Sequence, residues 1–288
     1  MRRIAHEGRG WRPFVLALLG LALCWALANP VVAGTACTQS TLQPEALANA
    51  SRLGTKVFET LERSSAQVVL IGRVGADLSR YGLRFSHLGF AVRDAAPGRW
   101  TVLHLLNRCG TDTSALYDEG LINFFLDDPF AYEVVVATPN AETQQALTRV
   151  LRSALISRLH QPHYNTIAHP QSPHFQNSNQ WALELIVAAL AKNAVQSRDE
   201  AQKNPLMQFH QPDVIHIDRL TRIAGGLFKA NLTFNDHPLA SRIKGEYAVV
   251  TVRSVLRFLQ RASLLEKIQK IDLQNGSNPL AGVDLERL

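Results

Sequence analysis

The chain has 288 residues, 46% of them hydrophobic and 19% charged, the composition of an ordinary globular protein with one large domain or two small ones. Its formal charge of +6 is concentrated at the start. Residues 1–36 carry Arg2, Arg3, Arg9, Arg12 and Glu7, and without them the charge falls to +3, with no basic block left to hold a nucleic acid.

Those arginines precede an apolar run from Phe14 to Leu27, of secretory length and too short for a comfortable membrane span. Val31-Val32-Ala33 and Gly34-Thr35-Ala36 offer small-residue cleavage. Residues 1–36 are therefore expected to be a signal peptide and the mature protein periplasmic or secreted, touching a membrane through the leader alone. Cys24 leaves with the leader, so Cys37 and Cys109 remain. In an oxidising compartment two cysteines make one bridge, and closing so long a loop would contribute about 2–4 kcal/mol. A reactive thiol at Cys109, near His104, is the rival reading. Lipidation at Cys37 is not expected, because Gly34-Thr35-Ala36 lacks the usual Leu three residues before the cysteine.

Pro44 to Ser64 has Leu47, Ala50, Gly54, Val57, Phe58 and Leu61 at helical spacing. AQVVLIGRV, residues 66–74, is a buried strand. Residues 84–107, RFSHLGFAVRDAAPGRWTVLHLLN, predict two strands and a turn. By the period of two, His87 shares a face with Phe85, Gly89 and Ala91, and His104 with Trp100 and Val102. A hairpin centred between Ala95 and Ala96 pairs His87 directly with His104. A slip of one residue would part them to opposite faces. The bland reading is a pair of semi-buried, hydrogen-bonded histidines.

Residues 116–130 collect Asp118, Glu119, Asn123, Asp127 and Asp128 without the spacing of a calcium loop, and are expected to be helix caps and a solvated edge. Residues 132–138 predict a strand. Asn140 caps a helix to Arg158. A polar loop follows, with His160, His163, His169 and His174. His160-x-x-His163 has the spacing of a transition-metal chelate, yet no cysteine is near and prolines 162, 170 and 173 stiffen the loop, so no metal is expected. A helix runs from Ser178 to about Val195. Residues 197–205 are expected to be a linker. Strands are expected at 213–217, 230–234 and 247–252, and helices at 218–228 and 253–261. The tail from Asn275 is expected to fray.

Asn177-Ser178-Asn179-Gln180-Trp181 opens an apolar helix. Asn177 with Gln180 is a plausible capping box. The same place, at the positive end of the helix dipole, is where papain-like enzymes hold a cysteine as thiolate against a histidine. The order of Phe85-Ser86-His87-Leu88-Gly89, Val102-Leu103-His104-Leu105 and this helix start resembles the circularly permuted papain-like superfamily, with its cell-wall amidase-like and lecithin:retinol acyltransferase-like members. Tyr164 is similar to the tyrosine some bacterial members place before the helix. With GLRFSHLGF, LYDEGLINFFLDDPF and FNDHP (residues 234–238), the whole chain also resembles an uncharacterised secreted bacterial family, domain of unknown function 2145.

The superfamily resemblance implies an α+β fold: a permuted papain-like core with a central antiparallel sheet, and a packed helix carrying the site residue at its N-terminus. The expected division is a leader (1–36), the core (37–197), a C-terminal α+β extension (198–270) and a flexible tail (271–288). It implies His87, His104 and Ser178 as catalytic residues, with Tyr164, Asn177 and Trp181 binding at the cleft wall, no cofactor, and a cell-wall or lipid-like ligand. Ser178 stands where the superfamily has cysteine. A serine hydroxyl is too weak an acid for a dipole worth about 0.3–1 kcal/mol to ionise. Two readings stay open: a Ser-His-His hydrolase of amides or esters, in which His87 removes the serine proton, and a non-catalytic binding or interaction module using the same cleft.

Overall fold

A computed structural model describes residues 42–94, 99–127, 129–192, 194–274, 276–279 and 285, with the backbone alone for 224–228 and 276–279. The expected leader lies outside the described residues. So does Cys37, and with it the expected pairing to Cys109.

Helix α1 spans Pro44–Glu62, with Pro at its first turn and Glu45 against the dipole. Its buried stripe, Ala50, Leu53, Gly54, Val57 and Leu61, follows the helical period. The chain then lays down β1 (Val68–Val74), β2 (His87–Arg93), β3 (Trp100–Asn107), β4 (Ser114–Gly120), a short helix α2 (Leu121–Leu126) and β5 (Ala131–Pro139). Helices α3 (Ala141–Leu151), α4 (Leu155–Arg158), α5 (Ser178–Leu190) and α6 (Arg198–Lys203) follow. Next come β6 (Asp213–His216), α7 (Arg219–Phe228), α8 (Leu239–Lys244), β7 (Glu246–Val249), α9 (Val252–Arg261), β8 (Leu265–Asp272) and β9 (Gly276–Pro279).

The class is α+β. The central sheet runs β4-β3-β2-β1-β5-β8, antiparallel at every step, with β9 on the outer side of β8. Every residue of β1 is buried, because both faces of the sheet are covered. Val69, Ile71, Ala91, Val102, Val134 and Val136 pack on one face with α1 and α2. Val68, Leu70, Leu88, Phe90, Leu105 and Val135 pack on the other with α3, α5 and α9. A separate ribbon, β6 with β7, forms a third small core around Ile167, Ile215, Ile217 and Tyr247.

Several expectations change, each for a local reason. The helix expected to Arg158 breaks after Leu151, where Ser153 Oγ donates to the Val150 carbonyl and accepts from the Leu155 N–H, competing with the helical ladder. The expected linker is α6, begun by a capping box between Ser197 and Glu200. The strand expected at 230–234 is a loop: Asn165 satisfies both the Thr233 N–H and the Thr233 carbonyl, and Asn231 serves Thr166. The central sheet takes β8 from beyond the expected core, pairing Val136 with Gln269. In the expected tail, residues 276–279 pair with β8; 275, 280–284 and 286–288 lie outside the described residues.

Candidate active site

The hairpin of β2 and β3 pairs Phe90 with Leu103 and Arg93 with Trp100. His87 and His104 are therefore diagonal neighbours and not the direct pair expected, the register being displaced by two residues. Two is an even number, so both rings stay on one face. The position opposite His104 falls to Gly89. A Cβ there would lie 2.8 Å from Val102 Cγ1, 3.2 Å from His104 Cβ and 3.3 Å from Phe124, so any larger residue would crowd the histidine. The missing side chain leaves room for a diagonal contact, and His87 Nε2 meets His104 Nδ1 at 2.9 Å.

Helix α5 packs on the opposite face of the sheet, but His87 is the first residue of β2 and is met at the sheet margin. There Ser178 Oγ lies 3.1 Å from His87 Nδ1. Ser178 is not the helix cap. Asn177 caps, its Oδ1 accepting the Gln180 N–H at 2.8 Å while its amide donates to the Val250 carbonyl at 3.2 Å. Only half of the expected capping box forms, because the Gln180 side chain turns to the Pro170 carbonyl and to Glu184.

A residue that composition alone placed at a solvated edge completes the row. Glu119 on β4 pairs with Val102, so it shares the face of His104, and its Oε1 stands 2.9 Å from His104 Nε2. Neither atom has a hydrogen-bond partner, so this close approach is the polar contact open to each of them. The carboxylate can only accept. It therefore places the His104 proton on Nε2, leaves Nδ1 to accept from His87 Nε2–H, and leaves His87 Nδ1 as the acceptor for the Ser178 hydroxyl. The one signal in the sequence was parity: Glu119 and Tyr117 alternate onto the inner face of an edge strand.

Phe124 of α2 lies beneath the histidines, its ring 5.2 Å from that of His104 and 5.9 Å from that of His87. Arg73 pairs across β1 with His87, stacks 5.1 Å from the same phenyl ring, and forms an ion pair with Asp127. Of the five residues expected at an edge, Glu119 and Asp127 thus face buried cations or rings, while Asp118 and Asn123 are exposed. Asp128 lies outside the described residues.

Tyr164 completes the other side. Its hydroxyl lies beside Ser178, whose side chain and backbone N–H act to lower its pKa, but burial outweighs them and pushes the pKa above the ordinary phenol value. It is held there because its N–H donates to the Asp112 carbonyl at 2.6 Å and it bridges to Gln176. Trp181 offers nothing to a ligand. It is fully buried, its ring 6.0 Å from that of Phe90 and its Nε1–H on the Ile156 carbonyl. The structure therefore gathers His87, His104, Ser178 and Tyr164, leaves Asn177 as scaffold and sends Trp181 to the core.

The loop histidines diverge. His160 bonds Ser114 Oγ at 2.9 Å, His163 lies 3.9 Å from Asp112, His169 meets His237 edge to face, and His174 is exposed. Among the described residues no three metal-ligating side chains converge.

The family model for an uncharacterised protein conserved in bacteria, DUF2145, matches residues 60–259. The chain belongs to this family. The match takes in Arg73, His87, His104, Glu119, Tyr164 and Ser178, so in this DUF2145 chain the whole row lies within the family's span. No curated protein and no solved structure matches the chain.

Burial, then the Arg73 charge, then His104, hold the His87 pKa well below the ordinary imidazole value, so the ring is neutral at pH 7. His210, buried against Arg257, is lowered to about 4. Between that value and about 6.5 the unfolded chain binds protons that the folded chain refuses, so stability falls as pH drops. Melting temperature is expected to decline steadily from pH 7 to pH 5, His210 alone accounting for about 2 kcal/mol. A flat melting profile over that range, or one left unchanged by His210→Gln, would refute it.

Proposed function

We propose that this protein is an exported cell-envelope hydrolase of Ser-His-His type, acting on an amide or ester bond in a permuted papain-like frame. The observation that carries the reading is the contact between Ser178 Oγ and His87 Nδ1 at 3.1 Å, at the end of a row whose proton positions all run one way. As Oγ attacks a carbonyl carbon, His87 Nδ1 takes its proton. The imidazolium so formed is costly in a buried site, and His104 with Glu119 offsets that cost, as the third member of a triad does. The carbonyl oxygen gains the electron pair, and the Tyr164 hydroxyl beside Ser178 is the group we assign to stabilise it as an oxyanion donor. His87 then protonates the leaving group, and a water deprotonated by the same ring releases the acyl group from Oγ.

The bare geometry and the order of histidine strand, histidine strand and helix start support the papain-like frame; the apolar run at residues 14–27 supports export and leaves the Cys37–Cys109 bridge part of the same proposal. Fluorophosphonate labelling tests the chemistry. Labelling is expected in the native chain and is expected to vanish in Ser178→Ala and in His87→Ala. One observation favours a second reading: Ser178 is only 3% exposed and His87 only 8%. A native chain that takes no label but retains cell-wall or lipid ligands would be the non-catalytic binding module.

A further inference from the structure

Helices α7 and α8 flank the β6–β7 ribbon and, among the described residues, leave four large aliphatic side chains in solvent. Leu220 is 79% exposed, Ile223 62%, Leu239 66% and Ile243 72%. A monomeric chain rarely leaves so many together without a partner. The same two helices carry Arg219, Arg222, Arg242 and Lys244, and neither holds an acid. The preceding Asp218 is taken up by Thr221 and Arg80. Arg219, Arg222 and Arg242 line a hollow of about 710 Å³ together with Ile223, Leu239 and Ile243. Arg222 donates to the Arg242 carbonyl, tying the helices to each other, and its buried Nε has no partner. Gly245 makes their close approach possible: at φ +77° it ends α8, and a Cβ there would sit 2.7 Å from the Ile217 carbonyl oxygen.

We propose that α7 and α8 form a docking face for an anionic lipid leaflet. Aliphatic side chains ringed by cations match the two layers of such a leaflet, acyl chains within and phosphates outside. The charge argues for this occupant. An apolar partner protein would leave Arg219 and Arg242 at the hollow unanswered, whereas phosphates answer both. The proposal stands apart from the chemistry at Ser178, and the contact is independent of the leader.

Hydrogen exchange on the full chain tests it, since a leader inserted in a vesicle does not by itself slow amides two hundred residues away. With phosphatidylglycerol vesicles, exchange is expected to slow in residues 219–228 and 239–244; with phosphatidylcholine vesicles it should not. Arg219→Gln with Arg242→Gln is expected to raise the lipid concentration for half-maximal slowing about tenfold to thirtyfold. Ile223→Glu with Ile243→Glu should abolish the slowing, and these exposed positions leave the fold and melting temperature intact. No slowing on anionic vesicles, equal slowing on neutral ones, or slowing that survives the double glutamate variant would overturn the proposal. Slowing at high protein concentration without lipid would also overturn it, in favour of a second copy of the chain.

Discussion

Exchanging Glu119 for glutamine is expected to slow fluorophosphonate labelling of Ser178 by about 10²–10⁴-fold while leaving the fold in place. The substitution keeps shape and removes a charge. A carboxylate accepts only, whereas an amide also donates. With glutamine at 119, His104 is free to carry its proton on Nδ1. That atom lies 2.9 Å from His87 Nε2, which would then have to become the acceptor. The His87 proton moves to Nδ1 and blocks the ring from taking the proton of Ser178 Oγ, 3.1 Å away. Nitrogen NMR of the histidines reads this without any reaction: His87 Nδ1 should be bare in the native chain and protonated, at least in part, in Glu119→Gln. The labelling rate of the native chain should hold as pH drops past the ordinary imidazole value and fall only as pH passes through the lowered His87 pKa, because only the neutral ring is a base. Equal labelling rates in the two chains, or the same His87 tautomer in both, would show that Glu119 is a bystander.

Removing the arginine of the one deeply buried carboxylate on α5 is expected to have the largest effect on stability. Glu184 is 1% exposed and receives Arg198 Nε at 2.9 Å, Gln176 at 2.6 Å and Gln202 at 2.8 Å. The same Arg198 donates to the carbonyls of Ser172 and Phe175 at 3.2 Å, so it clamps the loop before Ser178 to the helix that follows. Burial pushes the Glu184 pKa up, and Arg198 is the main influence holding it down. Arg198→Ala should cost about 3–5 kcal/mol, because a buried charge loses its cation. In a chain of this size that is a fall of about 10 °C in melting temperature. The pH signature separates this cause from lost packing. Without Arg198 the folded pKa of Glu184 rises further above its unfolded value, so protonation restores stability in acid and the penalty grows as pH rises through the folded pKa. The gap between native and variant melting temperatures should therefore be wider at pH 8 than at pH 5. A gap independent of pH would mean that Arg198 acts by packing alone.

Periodicity in the sequence determined that His87 and His104 share a face, that β1 is buried on both sides, and that a helix begins at Ser178 with Asn177 before it. These follow from near neighbours in the chain, where a period of 2 or 3.6 and one capping side chain decide the conformation. The register of the hairpin did not follow. A turn of several residues leaves it free by steps of two, and the choice was made by Gly89, which lies across from His104, packs against Phe124 and Val102, and has no side chain to intrude. Glu119 could not be told from Asp118 by composition, since both are acids on one strand; only the pairing of β4 with β3 turns Glu119 toward His104 and Asp118 to solvent. Trp181 and Asn177 stand beside Ser178 in sequence, yet a helix turns successive residues about its axis, so one enters the core and the other caps. Strand β8 entered the sheet beside β5, more than a hundred residues earlier in the chain, because the open edge of β5 needed a partner for its backbone groups. Local pattern thus determined β1, the two hairpin strands, the start of α5 and the shared face of the histidines, while the row from Ser178 to Glu119 was decided by tertiary packing, because its members come from β2, β3, β4 and α5, and hydrogen-bond distance between them exists only once those elements are registered against one another.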